Sequence, residues 1–334
     1  MKNRQHKNSL FVPSWRRGLG RLKQYQLLFI ILLSITLSSC EKEIEITLPE
    51  AERKFVVEGN IEQDQPPFVM LTKTQGYFDP TDLAALQNFF IHNAIVKVSN
   101  GSTTVQLTEI CMDDIPDSLK PAVAELIGVS LDAVSNFNFC LYTTLDPTIY
   151  GEIGKTYTLN IQAEGKELSA TTTIPTPIPA NRYWYKDQPG FTNYGYLWFE
   201  LSDPPGLGNA YRIYTQRKGK DTRFIPVDGG SAFDDGFIDG LTFDAFVFRG
   251  QEANSTAPDD IAETAKYFEQ GDTIIIKFCS IDLTHYNFIQ SFEVAAFNNG
   301  NPFAAPATIK SNITGGLGVW GGYGVTLDTL VAVD

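Results

Sequence analysis

Apolar and polar residues alternate in short runs along most of this chain, and glycine, proline and asparagine separate the runs. Phe55-Val56-Val57-Glu58-Gly59 is followed, after the Pro66-Pro67 break, by Phe68-Val69-Met70-Leu71-Thr72-Lys73. Ala94-Ile95-Val96-Lys97-Val98 and Thr104-Val105-Gln106-Leu107 flank Asn100-Gly101, a hairpin signal. Tyr157-Thr158-Leu159-Asn160-Ile161 turns at Glu164-Gly165-Lys166 and returns as Leu168-Ser169-Ala170-Thr171-Thr172-Thr173. Short strands at this spacing predict a sandwich of immunoglobulin-like or transthyretin-like size over residues 55–173. The period changes between Cys111 and Cys140. Asp117-Ser118 can cap a helix over 121–127 with Gly128 as its stop, and Ser130 can cap a second short turn. The expectation is a small helical insertion, 112–139.

Ile174-Pro175-Thr176-Pro177-Ile178-Pro179 reads as an extended, semi-rigid linker over 174–180. Beyond it, 181–334 predicts a second β-rich domain carrying two helices. Its strands fall at 196–201, 211–215, 243–248 and 273–278. One helix is expected over 259–270, with Ile261, Ala265 and Phe268 on one face and Gly271 ending it. The other starts at Asp282, carries Phe288, Ile289, Phe292, Ala295 and Ala296, and stops near Asn299-Gly300, before Pro302. The fold class expected is mainly β.

The N-terminus follows a different pattern. Arg16, Arg17, Arg21 and Lys23 precede an apolar stretch, 27–37, that ends in Leu37-Ser38-Ser39-Cys40. This is a secretory signal peptide, 1–39, closed by a lipobox. The Cys40 thiol would be lipidated, its freed amine acylated, and 40–54 would form a tether. The stretch is too short for a bilayer span, which takes roughly 20 residues. Several acyl chains bury many CH₂ groups at about 0.8 kcal/mol each, so the anchoring is stable.

Residues 1–39 hold seven Lys and Arg and no Asp or Glu. Their removal leaves 19 basic against 39 acidic residues, a formal net charge of −20. So acidic a chain is no partner for nucleic acid, nor for anionic lipid through charge. Glu41-Lys42-Glu43-Ile44-Glu45 directly after the lipid site resembles the signal that sends Bacteroidota lipoproteins to the outer face of the outer membrane. The alternative is an ordinary polar tether on the periplasmic face.

Cys111, Cys140 and Cys279 remain after Cys40 is used. Outside the cytoplasm paired thiols oxidise. Cys111 and Cys140 flank one compact segment and are the expected disulfide, with Cys279 a free thiol inside a strand. No C-x-x-C or Cys/His spacing accompanies them, so no metal is expected. The mature chain has two histidines, His92 and His285, and no G-x-S-x-G, H-E-x-x-H or S-x-x-K motif. A non-enzymatic protein without cofactor is expected. Asp228-Gly229-Gly230 and Phe233-Asp234-Asp235-Gly236-Phe237-Ile238-Asp239-Gly240 lack the spacing of a Ca²⁺ loop and read as turns.

Two segments are candidate partner contacts. Tyr183, Trp184 and Tyr185 beside the proline seam suit either a core or an interface. Gly315, Gly316, Gly318, Gly321 and Gly322 permit positive φ or close approach. They serve either a bulged strand that packs Trp320 inside, or a flat surface on which Gly315, Gly316, Trp320 and Tyr323 meet a partner.

Asn301-Pro302-Phe303, then Ser311-Asn312-Ile313-Thr314-Gly315-Gly316-Leu317-Gly318-Val319-Trp320-Gly321-Gly322-Tyr323, stand at the C-terminus. Together with Phe55-Val56-Val57-Glu58-Gly59 soon after a lipidated Cys, they resemble a Bacteroidota lipoprotein family catalogued as domain of unknown function 4249. Asp203-Pro204 after a strand and Ser280-Ile281-Asp282 before a helix fit the same pattern. The resemblance covers nearly all of the mature chain and supplies no catalytic residue. It implies an outer-membrane lipoprotein encoded beside TonB-dependent transporters and accessory to one in nutrient capture. The alternative is a structural or adhesive surface lipoprotein that binds proteins or glycans.

Overall fold

The computed structural model describes residues 52–76, 88–127, 131, 135, 137–252, 255–298 and 308–333. The signal peptide, Cys40, most of the tether and Asn301-Pro302-Phe303 lie outside the described residues.

The alternating runs become strands because one side of each is apolar. In β1 (Phe55–Glu62), Phe55, Val57, Gly59 and Ile61 are buried, while Val56, Glu58, Asn60 and Glu62 face the other way. After β1 come β2 (Phe68–Lys73), β3 (Ile95–Ser99), β4 (Thr104–Gln106) and β5 (Thr108–Cys111). The chain then leaves for α1 (Lys120–Ile127) and returns as β6 (Cys140–Thr143). The hairpin of β7 (Thr156–Ala163) and β8 (Lys166–Thr173) follows. Beyond the prolines lie β9 (Arg182–Asp187), β10 (Tyr194–Ser202), β11 (Ala210–Arg217), β12 (Ile225–Pro226), β13 (Ala232–Asp234) and β14 (Thr242–Val247). The last elements are α2 (Pro258–Ile261), β15 (Phe268–Glu269), β16 (Thr273–Ile281), α3 (Leu283–Phe297) and β17 (Leu317–Val331).

One nine-stranded sheet runs β12-β11-β16-β17-β1-β2-β6-β5, with β13 also on β11. Two four-stranded sheets complete the strands: β4-β3-β7-β8, and β14-β10-β15 with β9 on β10. Both cover the same face of the large sheet. The first closes over Phe55, Val57, Ile61 and Trp320 with Val96, Leu159 and Leu168. The second closes over Ile213, Ile274, Ile276 and Phe278 with Leu197, Phe199 and Val247. Trp320 and Leu330 share parity on β17, so both cores sit on one side of that strand. The protein is mainly β and sandwich-like, as expected.

The proline seam separates two cores but not two units. β17, from the far C-terminal end, pairs in parallel with β1 from Val56↔Leu317 to Glu62↔Tyr323. It pairs antiparallel with β16 along its remaining length. The large sheet therefore draws strands from both expected domains, and Ala51–Asp334 is one compact unit. The expected linker 174–180 lies packed against that sheet. Ile174 is fully buried, and the Ile178 amide donates to Ser280 Oγ at 3.0 Å. Gly324 lies so close to the Pro175 carbonyl that an added Cβ would meet its oxygen at 2.1 Å.

The expected helix 259–270 ends at Ile261. Tyr267 and Phe268 are both buried on successive positions, which an extended chain satisfies. Phe268 joins β10 beside Gly195. The short helix that remains is fixed by arginines: Arg217 Nη1 donates to Asp259 and Arg249 Nη1 to Asp260, at 3.1 and 2.8 Å.

Cys111 and Cys140 stand opposite each other in the β5–β6 pair and are joined by a disulfide. The helical excursion leaves and returns at this bond, and α1 packs Ala124 and Ile127 on Phe68, Met112 and Leu141. Cys279 is buried and free.

Trp320 is the largest fully buried side chain; its Nε1 donates to the Tyr157 carbonyl at 3.1 Å, and Asn312 clasps its backbone N–H and C=O. Trp320→Ala removes the side chain that fills the space between β1 and β7, together with its bond to the Tyr157 carbonyl. The expected loss is about 3–5 kcal/mol, read as a lowered urea midpoint for the whole chain.

Candidate functional site

Among the described residues, the second face of the nine-stranded sheet is covered in part. Toward β2 and β6 it carries α1, and toward β11 and β16 it carries α3. Between the two helices a cavity of about 630 Å³ opens over the centre of the sheet. Its floor is the second parity set of four neighbouring strands: Glu58, Asn60 and Glu62 from β1, Tyr323 from β17, Lys277 from β16, and Arg212 and Tyr214 from β11. Phe288 and Phe292 of α3 line it from the helix, and Phe224 on the loop before β12 lines it beside Lys277.

α3 is placed by its first turn. Asp282 Oδ1 accepts the His285 amide at 2.8 Å and caps the helix, while its Oδ2 accepts from the Thr172 hydroxyl on β8 at 2.5 Å. This brings the buried His285 ring flat against β17, where a Cβ on Gly321 would lie 2.2 Å from a ring atom. Gly321 is therefore required by close approach, as Gly318 is by a φ of 105° beside the Val57 carbonyl.

A hydrogen-bonded cluster centres on the Tyr323 hydroxyl. Arg212 Nη1 donates to it at 2.8 Å, and Tyr214 Oη and His285 Nε2 each lie 3.2 Å away. Arg212 also donates from Nε to Ser231 Oγ at 3.3 Å and lies over the Tyr214 ring. Ser231 in turn donates to Glu293 at 2.5 Å. Lys277 is paired with Glu62, and Arg223 with Glu252 in a two-pronged contact. Arg212 and Glu58 form no ion pair among the described residues.

Charge states follow from these surroundings. Burial pushes the Glu58 carboxyl up, and the Arg212 charge opposes that only in part. Glu58 is crowded by protein yet open to solvent through the cavity. Burial also acts against charge on Arg212, but Tyr214, Tyr323 and Glu293 more than restore it. Burial acts likewise on Lys277, where Glu62 outweighs it. Burial, with the nearby Arg212 charge, takes His285 down to about 3, so it is neutral at ordinary pH. Burial lifts the Cys279 thiol to about 12, which leaves it inert.

The candidate contacts from the sequence are dispersed. Tyr185 and Trp320 are core residues and Tyr323 lies beneath the cavity, so these three form no outer contact surface. Gly315 stands exposed in the turn before β17, and Gly316 is half-buried against Leu168. Tyr183 packs on the second core. Trp184 faces outward and begins an aromatic stripe on the outer face of β9, β10 and β14. It stacks on Trp198 at 5.9 Å, Trp198 meets Phe246 at 5.1 Å, and Phe246 meets Tyr196 at 4.8 Å. Phe246 is 43% exposed, and Arg182 and Lys186 lie over Trp184 and Trp198.

The acidic glycine-rich stretch brings Asp203, Asp235 and Asp239 together. Each carboxylate accepts backbone N–H groups: Gly240 on Asp203, Gly208 and Asn209 on Asp235, Gly206 on Asp239. This is the chemistry of stapled turns. His92 binds Glu109 at 2.5 Å beside the disulfide, whose sulfurs are already bonded.

The cavity residues Glu58, Arg212, Tyr214 and Lys277 escaped the sequence reading. Their signal was present: ionisable or hydroxyl groups at every second position of otherwise apolar central strands, as in Tyr211-Arg212-Ile213-Tyr214 and Ile276-Lys277-Phe278.

Fold and cavity define a mainly β protein with a polar-floored, aromatic-walled cavity on one large sheet. The chain belongs to the family described as domain of unknown function 4249, whose model matches residues 41–328. Comparison with curated proteins gives no match. No helix among the described residues is long and apolar enough to cross a membrane.

His285 yields a pH prediction. Its folded pKa lies below its ordinary value near 6.5, so the unfolded chain takes up the proton first. Stability contributed by the neutral ring is full above that value and falls as pH drops through the window down to about 3. Against His285→Gln, wild-type stability should fall further between about pH 7 and about pH 5, by up to roughly 1.4 kcal/mol per pH unit. Urea midpoints across that range measure it; parallel curves for the two proteins refute a buried neutral imidazole.

Proposed function

We propose that this chain is a non-enzymatic, lipid-anchored protein of the outer membrane, accessory to a TonB-dependent transporter in nutrient capture. The observation that carries the reading is the cavity of about 630 Å³, whose size falls within the range of small-ligand sites and which combines apolar walls with a few polar groups. Arg212, Lys277 and Glu62 on its floor are held by hydrogen bonds rather than arranged as nucleophile and base, which favours binding over catalysis. Cys40 supplies the anchor, and Glu41, Glu43 and Glu45 after it favour display on the cell exterior. Confinement to the membrane plane raises the effective concentration near a transporter, so a modest interface suffices. Family membership and the Cys40 lipobox support the setting.

A second reading is an adhesive surface lipoprotein that binds proteins or glycans. The aromatic stripe of Trp184, Trp198, Phe246 and Tyr196 favours it, because outward-facing, half-buried aromatics with Phe246 exposed and charges beside them suit a flat partner.

Cross-linking in live cells followed by mass spectrometry separates the two. The accessory reading expects a TonB-dependent transporter enriched over other abundant outer-membrane proteins, loss of that enrichment in Cys40→Ala cells, and reduced TonB-dependent uptake when the gene is deleted. Absence of the transporter together with intact uptake overturns it. Loss of cell or glycan adhesion on Trp184→Ala, with uptake unchanged, favours the second reading.

A further inference from the structure

We infer that the cavity between α1 and α3 takes a short peptide with free termini and apolar side chains, its carboxylate held at Arg212 and its amino group at Glu58. This deepens the capture reading above and rests on it.

On the sheet floor of the cavity pairing sets these two groups apart, while Glu125 on the α1 side also lines the cavity without an ion pair among the described residues. Lys277 is neutralised by Glu62, Arg223 by Glu252, and Glu293 accepts from Ser231. Arg212 and Glu58 face the same cavity with opposite charge, and neither forms an ion pair among the described residues. The Arg212 charge reaches Glu58 electrostatically, yet the two do not close on each other. A guanidinium and a carboxylate left apart across a cavity match a ligand that carries the complementary pair. Arg212 is hydrogen-bonded to Tyr323 and Ser231 but has no carboxylate in contact among the described residues, and a bound zwitterion supplies a counter-charge to both groups at once.

The groups beside each charge fit the same ligand. Tyr214 and Tyr323 hydroxyls flank Arg212, so a carboxylate there meets a planar cation and phenolic donors. Asn60 lies two positions from Glu58 on the same face of β1 and offers amide chemistry to a peptide backbone. Phe288, Phe292 and Phe224 line the cavity and receive apolar side chains.

Spacing selects a peptide over a single amino acid. β11 and β1 are separated by β16 and β17. Three strand spacings amount to about 14 Å. The two positions are also offset along the sheet, because Glu58 stands opposite Val319, whereas Arg212 stands opposite Cys279 and through it Val325. An extended chain advances about 3.4 Å per residue, so several residues bridge the gap once the Arg and Glu side chains lean inward. A neutral glycan would supply neither group with a counter-charge.

The test uses the full lipoprotein purified in mild detergent and isothermal titration calorimetry. Probes are the tetrapeptide Leu-Phe-Gly-Leu with free ends, its N-acetyl form, its C-terminal amide, and maltotetraose. The free peptide should bind, and amidation should weaken binding at least about tenfold, a loss of one ion pair's worth in a confined site. Acetylation should weaken it several-fold. Glu58→Gln sits on an open side chain and should leave folding intact; in it, acetylated and free peptides should bind alike. Arg212→Lys should lower affinity for the free acid and spare the amide, with thermal melting confirming the fold of both variants. Equal affinity for free and blocked peptides overturns the proposal, as does absence of heat from the free peptide with folded protein. Binding of maltotetraose that Glu58→Gln leaves unchanged also overturns it. Transporter co-purification from the same membranes is scored separately, so a peptide-blind protein that retains its transporter defeats this inference alone.

Discussion

The parallel pairing of β1 with β17 is the contact on which the rest of the structure depends. These strands come from opposite ends of the described chain, and everything between them must be folded back before they meet. Parallel neighbours cannot be joined by a tight turn. Here the whole intervening chain acts as the crossover, and it builds both cores on one face of the sheet, one over the pair and one over β11 and β16. Trp320 on β17 fills the first core, while the C-terminal half of the same strand closes the second with Leu330 and Ala332. The glycines of β17 follow from that position. A strand pressed by β8 and the proline strap on one face and by His285 on the other has no room for Cβ atoms at Gly321, Gly322 and Gly324.

The same geometry produces the cavity. Both small sheets stack on one face, so the opposite face must be covered by something else, and the described residues provide α1 near one end and α3 near the other. The strip between them is where polar residues occur on central strands. A fold that needed only stability would place apolar residues there, because paired charges in such a site are at best neutral relative to a packed core. Arg212, Lys277, Glu62 and Glu58 on adjoining strands are the feature on which the proposed binding role rests.

Much of the fold was legible from alternation. β2 and β11 fall where the apolar period placed them, Asp282 caps its helix, and the Cys111–Cys140 bond closes the helical insertion. Three things were not legible. Local sequence carries no trace of the β1–β17 pairing, so the proline strap looked like a linker between independent domains. The run 259–270 has a helical spacing of apolar residues, yet Arg217 and Arg249 capture Asp259 and Asp260, and Phe268 is drawn into a sheet. The cavity is made by residues far apart in sequence, so each polar position read as an isolated interruption of a strand. Trp184 and Tyr185 show the limit of composition most simply: adjacent aromatics on one strand face a surface and a core in turn.

Native-state hydrogen exchange at increasing denaturant tests the central claim most directly, namely that β1 and β17 bind both cores into one cooperative unit. The account predicts that amides of β1 and β17 open only in the global transition, and that β7 in the first core and β10 in the second lose protection in the same step. Separate opening of the β10 sheet, with β1, β17 and β7 still protected, would contradict it and restore two independent domains divided at the prolines.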